Sequence, residues 1–274
     1  RQRQMCIRDR CGMNGRYIEM DYQETLMYGD VMAMAKKKLN DFTLNIAIGG
    51  SINDKVVNST RIDSKNASLK FANVFNLANI VMSSSASIDQ KIDAHYQLQS
   101  VFATAQAGYK EGAFLDLTAR NDWSSTLAYT KYEKKGFFYP SIGVSFLPDK
   151  WVKMPEWVSF SKLRGAYSIV GNGVPPFITY PVSYVTAGGG MLASDAAPFA
   201  EMKPEMTHSV ELGMEWKFLQ HRLGLNLTYY RTNTYEQFFK LPALAGDKYA
   251  YRYVNAGDIP VSYTHLRAHE TTLH

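Results

Sequence analysis

The residues of this 274-residue chain that could do chemistry are six His, two Cys and a scatter of carboxylates. Asp116 and Glu211 could be paired as acid and base for cutting a glycosidic bond. Both fall on the charged side of alternating stretches, where a carboxylate needs no catalytic role. "HSVE" and "HRLGLN" each hold a single His, and a lone His in a strand is ordinarily structural. "GNG" (171–173) and "GGG" (188–190) lack the strand–loop–helix context and the Lys of a phosphate loop. Cys6 and Cys11 sit near the start with no metal-ligand spacing around them. No catalytic residue, cofactor-binding residue or metal ligand is expected, and the chain does not read as an enzyme. What remains is aromatic: Trp123, Trp151, Trp157 and Trp216, with 18 Tyr and 14 Phe. These could stack on a ligand, or form belts where strands cross an interface.

The elements that carry these residues alternate with period two. In "AFLDLTARNDWSSTL" (113–127), Leu115, Leu117 and Ala119 oppose Asp116, Thr118 and Arg120. Similar runs predict strands at 31–37, 42–50, 97–109, 113–122, 137–146, 158–170, 207–218 and 223–233, with partial strands at 16–23 and 251–257. Soluble sandwich strands are usually nearer five or six residues. Here apolar faces stay free of charge over ten residues while the opposite faces hold Glu, Lys, Asp and Arg, the division a barrel in lipid with a wet interior requires. Connections alternate as well: short at 38–41, 110–112 and 219–222, long at 51–95, 123–136, 171–206 and 234–249. Short turns belong on the periplasmic side and long loops outside. The connection 147–157 is long for a periplasmic turn. The expected fold is all-β: an antiparallel transmembrane β-barrel segment of about eight to ten strands, open-edged.

Composition removes other classes. The chain is 46% hydrophobic with a formal charge of +5, and "RQRQMCIRDR" supplies much of the excess. No basic patch has the density that nucleic acid needs. No apolar run approaches the ~18 residues of a membrane helix, which does not bear on strands. Residues 1–10 and 260–274 match nothing in the pattern between them and resemble translated sequencing-adapter read-through, so both are expected to be foreign to the fold.

The ordered motifs "LDLTARNDWSSTL", "FFYPSIGVSF", "FSKLRGAYSIVGN", "KPEMTHSVELGMEWKFLQHRLGLNLTYYRTNT" and "YVNAGDI", with "FANVFNLAN" (71–79), resemble the SusC/RagA family of TonB-linked outer-membrane proteins from Bacteroidetes. The resemblance covers roughly 30–259. It implies a 22-stranded barrel with an N-terminal plug, importing glycans or peptides beneath a SusD-like surface lipoprotein and powered through TonB. Residues 11–259 would be a partial barrel domain with the plug absent. The implied surroundings are outer-membrane lipid, TonB by way of the plug, the lipoprotein, and an oligosaccharide or peptide cargo, in a Gram-negative outer membrane. A passive porin or adhesin barrel is an alternative, as is a soluble carbohydrate-binding β-sandwich. The residues placed to touch cargo or lid are Phe177, Tyr180 and Tyr184 in the loop 171–206, stiffened by Pro175, Pro176 and Pro181. Trp123 and Tyr129 on the preceding outer loop are weaker candidates.

Overall fold

Period-two alternation lays the chain down as neighbouring antiparallel strands. The computed structural model describes residues 2–3, 14–65, 67–81, 87–185 and 190–270. Its wall is one ten-stranded sheet in chain order. The first seven strands are β1 (Gln2–Arg3), β2 (Ile18–Leu39), β3 (Phe42–Asp63), β4 (Ser87–Tyr109), β5 (Ala113–Ser124), β6 (Phe137–Phe146) and β7 (Val158–Asn172). Between β7 and the next wall strand lies a small hairpin, β8 (Tyr184–Val185) with β9 (Met191–Leu192). The wall resumes with β10 (Glu205–Phe218) and β11 (Leu223–Tyr235). A second hairpin, β12 (Phe238–Pro242) with β13 (Tyr251–Asn255), precedes the last wall strand, β14 (Asp258–Glu270). The sheet is open, as expected of part of a larger barrel.

Register turns the alternation into two faces. Leu44, Ala107, Leu115, Val144, Gly165, Leu212 and Tyr229 form one cross-strand row. Ile46, Ala105, Leu117, Ile142, Tyr167 and Val210 form the next row on that face, which ends in a charge at Arg231 on β11. On the opposite face, between them, run Asn45, Gln106, Asp116, Gly143, Ala166, Glu211 and Tyr230. Protein leaves Ile48, Leu117, Ile142 and Val144 between 42% and 57% exposed, so something else must cover them. Lipid does so, stabilising each by roughly 1 kcal/mol relative to water.

The short-turn end carries an aromatic rim. Phe42 stacks on Tyr109 at 4.5 Å, Tyr109 and Phe146 both meet Trp151, and Phe218 lies between Trp157 and Trp216. This accounts for the length of the connection 147–157: it brings Trp151 and Trp157 to the rim. Gly112 is required there, since a Cβ would sit 2.1 Å from the Trp151 indole nitrogen.

Three expectations need correction. The connection drawn from 51 to 95 is strand at both ends, with β3 reaching Asp63 and β4 starting at Ser87. The pieces 16–23 and 31–37 belong to one strand of 22 residues. The partial strand at 251–257 belongs to the β12–β13 hairpin rather than the wall. The first two errors share a cause. Above the level of Gly50 and Val101, the apolar face gives way to Asp54, His95, Gln97 and Gln99. Strand pairing continues there outside lipid, where no face must be free of charge.

Residues 260–270 pair with β11 throughout. In the band their faces divide like the rest, with Leu266 on the side of Leu227 and His265 and Arg267 on that of Thr228 and Asn226; above it Pro260, Ser262 and Thr264 share the side of Tyr229, while Ile259 and Val261 share that of Thr232 and Thr234.

Candidate functional site

The chain's buried core lies in the connections at the long-loop end. One cluster joins Tyr17, Ala67, Leu69 and Ile80, with Ile62 and Phe75 against it. The other joins Leu127, Val174 and Met202, with Phe137, Ile178, Phe199, Phe238 and Tyr253. It therefore unites the β5–β6 connection, the β7–β10 connection and the β12–β13 hairpin into one packed body above the wall.

Polar groups fix that body. Thr179 donates its hydroxyl to the carbonyls of Thr126 (3.1 Å) and Ala128 (3.2 Å). The Asn255 amide donates to the carbonyls of Lys203 and Glu236, while its oxygen accepts from the Lys203 N–H. One side chain thus ties the hairpin to the end of the long loop. Lys203 also donates to Glu236 at 2.7 Å, and that bond raises the lysine above its ordinary value. Lys131 and Glu201 join the two loops at the surface. Their hydrogen bond raises the lysine and lowers the carboxyl.

Two of the sequence-selected aromatics meet on this body. Tyr129 and Tyr180 lie with ring centroids 4.8 Å apart, 70% and 55% exposed. Tyr129 sits at φ 64° and Phe177 also at φ 64°, in the left-handed region that bulky side chains rarely adopt. Such strain persists where the surroundings enforce it, often at binding sites. The Tyr129 N–H donates to Glu133. Phe177 is half-buried, apart from that pair. Trp123 lies elsewhere: it shares the face of Leu115, Leu117 and Ala119, opposite Gln99, at the outer edge of the lipid band. The Tyr184 side chain, Gly188 and Gly189 lie outside the described residues, as do Cys6 and Cys11.

The inner face of the wall carries a second set of polar contacts. Asn45 donates to Gln106 and Gln106 to Asp116. Arg164 donates to Thr228 and pairs with Glu211 at 3.2 Å. Arg120 bridges Asp122 and Ser100. Asp116 and Glu211, the carboxylates a glycosidase reading would pair, are thus engaged separately in wall contacts. One row presents a hydroxyl from six successive wall strands: Thr104, Thr118, Ser141, Ser168, Ser209 and Thr232. Among the described residues, no group of three His, Cys, Asp or Glu could hold a metal.

Sequence reasoning missed the positioning residues Asn79, Asn255 and Asp63. Asp63 is 1% exposed and accepts from the Arg16 Nε and Nη2 (2.8 and 2.7 Å), Arg61 (2.6 Å) and the Lys65 N–H. Burial opposes its charge, but the Arg16 bonds, the Lys65 N–H and Arg61 outweigh that and hold the carboxyl below its ordinary value. The available signal was an Asp one residue beyond "TRI", flanked by Arg61 and Lys65; it gave no hint of Arg16, 47 positions away.

Residues 14–263 match the family model described as TonB dependent receptor-like, beta-barrel. A 156-residue stretch is 28% identical to the TonB-dependent receptor P3 of Formosa agariphila, covering 53% of this chain and 15% of that protein. The fold resembles that of the RagAB peptide transporter, with a TM-score of 0.78 and 18% identity over 94% of this chain and 29% of that one. It also resembles the outer membrane transporter YddB from Escherichia coli, with a TM-score of 0.56 and 11% identity over 93% of this chain and 31% of that one. The chain therefore spans a minor part of the relatives it matches.

Proposed function

Because the chain belongs to the TonB-dependent receptor-like β-barrel family, an outer-membrane family of Gram-negative bacteria, we propose that it forms part of the wall of an outer-membrane importer. Energy would come from TonB through a plug in the full-length protein, and a SusD-like lipoprotein would cover the outer mouth. The cargo would be an oligosaccharide or a peptide. The observation that carries this reading is the division of one sheet into a lipid face and an internally hydrogen-bonded polar face, capped by a packed body of outer loops. Cargo or lid would meet that body at the tilted Tyr129–Tyr180 pair, with Phe177 and Tyr184 on the same loop. Trp123 serves the lipid boundary in this reading.

We also take the wall to end near Ile259 and residues 1–10 and 260–274 to be foreign to it. The break in the family-like motifs after "YVNAGDI" supports this.

The test is uptake by cells carrying the full-length receptor, with and without TonB, using a labelled oligopeptide and a labelled oligosaccharide. Import of one of them that vanishes without TonB is expected. Import that survives the loss of TonB would favour the passive porin and overturn the reading.

A further inference from the structure

The β3–β4 connection contains "FANVFNLAN", residues 71–79, nine residues without a charge. A water-facing loop of that composition would ordinarily fold its apolar groups inward. Here only Phe75 is drawn toward the cluster of Tyr17, Leu69 and Ile80. Phe71 is left 68% exposed, with Val74 and Leu77 exposed beside it.

The backbone beneath them is locked. Asn79 is buried; its amide oxygen accepts from the Phe71 N–H (2.9 Å), and its NH2 donates to the carbonyls of Phe71 (2.7 Å) and Val74 (2.6 Å). Asn76 caps the single turn Leu77–Asn79. The Lys70 N–H donates to the Asn79 carbonyl. Both main-chain groups of Phe71 are therefore held by one buried amide while its ring stands in solvent.

Rigid backbone under exposed apolar groups makes a preformed binding knob. The ordering entropy is met at folding rather than at association, and aromatic anchors of this kind dominate interface energies. The flanks are basic. Lys65 and Lys70 are exposed, while Asp63 at the base of the loop is buried and engaged by Arg16 and Arg61. We infer that this loop docks the SusD-like surface lipoprotein, seating Phe71, Val74 and Leu77 in an apolar socket edged by carboxylates. The inference rests on the lipoprotein partner proposed above and adds a contact surface remote in sequence from the Tyr129–Tyr180 body.

The experiment places a photo-crosslinking benzoylphenylalanine in the full-length receptor on intact cells. It replaces Phe71, Tyr180 or, as a control on the short-turn side, Val152, and adducts are identified by mass spectrometry. The lipoprotein should be captured from position 71, at a peptide flanked by Asp or Glu, and not from position 152. Capture from 180 but not 71 would leave the lipoprotein reading intact and overturn this surface. Capture from neither would overturn both. Adducts of 71 with this chain, with lipopolysaccharide or with another protein would also overturn it. As a second readout, Phe71→Asp should lower the lipoprotein recovered per receptor about tenfold, the loss of one buried anchor. Lys70→Glu should lower it less, and receptor abundance should hold in both. Unchanged recovery with Phe71→Asp would contradict the inference.

Discussion

Two regions of the wall leave the membrane in different ways. β2, β3 and β4 run for 22, 22 and 23 residues and simply continue as paired sheet. β5, β6, β7, β10 and β11 stop at 10 to 15 residues, and their outer connections fold into a separate packed body. The lipid band is common to both. From Phe42 to Gly50 it spans about 26 Å along the strand at ~3.3 Å per residue, or about 20 Å along the normal at a 40° tilt. Above it, the tall region satisfies its backbone by strand pairing and places Asp54, His95, Gln97 and Gln99 on the outward face. The short region satisfies its backbone through Thr179 and Asn255 and buries Leu127, Val174 and Met202. Continuing a sheet demands only alternation. Leaving it demands specific side chains, and those side chains decide what the outer surface can present.

The contrast breaks most sharply at the lipid band. Leu117→Arg should cost roughly 2–4 kcal/mol in the intact receptor, because an Arg near the midplane of the lipid face has no partner there. Thr118→Arg, one residue on and facing inward, should cost much less. Gln97→Arg, on the outward side but above the band, should be nearly neutral. Equal costs at 117 and 97, read from urea unfolding in vesicles, would erase the distinction between wall in lipid and wall above it.

Within the tall region, Asp63 anchors the loop to the strand ends. Asp63→Asn should loosen residues 64–81 by about 2–3 kcal/mol, the scale of a buried charge-assisted hydrogen-bond set. Its folded carboxyl lies below the ordinary 3.8. The contribution is therefore complete above that value and lost as pH falls through the lower folded value. Limited proteolysis of the loop should show protection that is flat near neutrality and collapses only in strong acid. A loss of protection between pH 5 and 7 would assign the anchor to another group.

In the short region, Asn255→Ala should cost about 1–3 kcal/mol by orphaning two carbonyls and one N–H. Hydrogen exchange should then rise at Lys203 and along β12–β13, with the wall unaffected. The smallest effect on stability belongs to the exposed pair. Tyr180→Ala should leave surface abundance within about 0.5 kcal/mol of normal while reducing cargo uptake. Normal abundance with unchanged uptake would remove this loop from the mechanism.

The same comparison explains what could be read from sequence. The band was legible because lipid permits no charge on one face: Leu115, Leu117 and Ala119 against Asp116, Thr118 and Arg120 predicted the strand and its two sides. The upper halves of β2 to β4 were not, since Asp54 and Lys55 are both tolerated where water bathes both faces. In the loops, Phe177 and Tyr180 stood out by type and by neighbouring prolines. Their pairing did not: the partner of Tyr180 is Tyr129, on another connection. "FANVFNLAN" and "YVNAGDI" were recognisable as motifs. The work of Asn79 and Asn255 depends on carbonyls brought near by folding, which no local pattern encodes.

The central claim is that a single sheet faces lipid on one side, and that this lipid face ends between Val101 and Gln97 although the strand continues. Single cysteines at 117, 118 and 97 of the full-length receptor, in native outer membranes, test it directly with a membrane-impermeant maleimide and a lipid-borne quencher. Position 117 should be quenched by lipid and unreactive to the maleimide. Position 97, on the same face, should react and escape quenching. Position 118 should escape quenching. Lipid quenching at 97 equal to that at 117, or any at 118, would contradict the account.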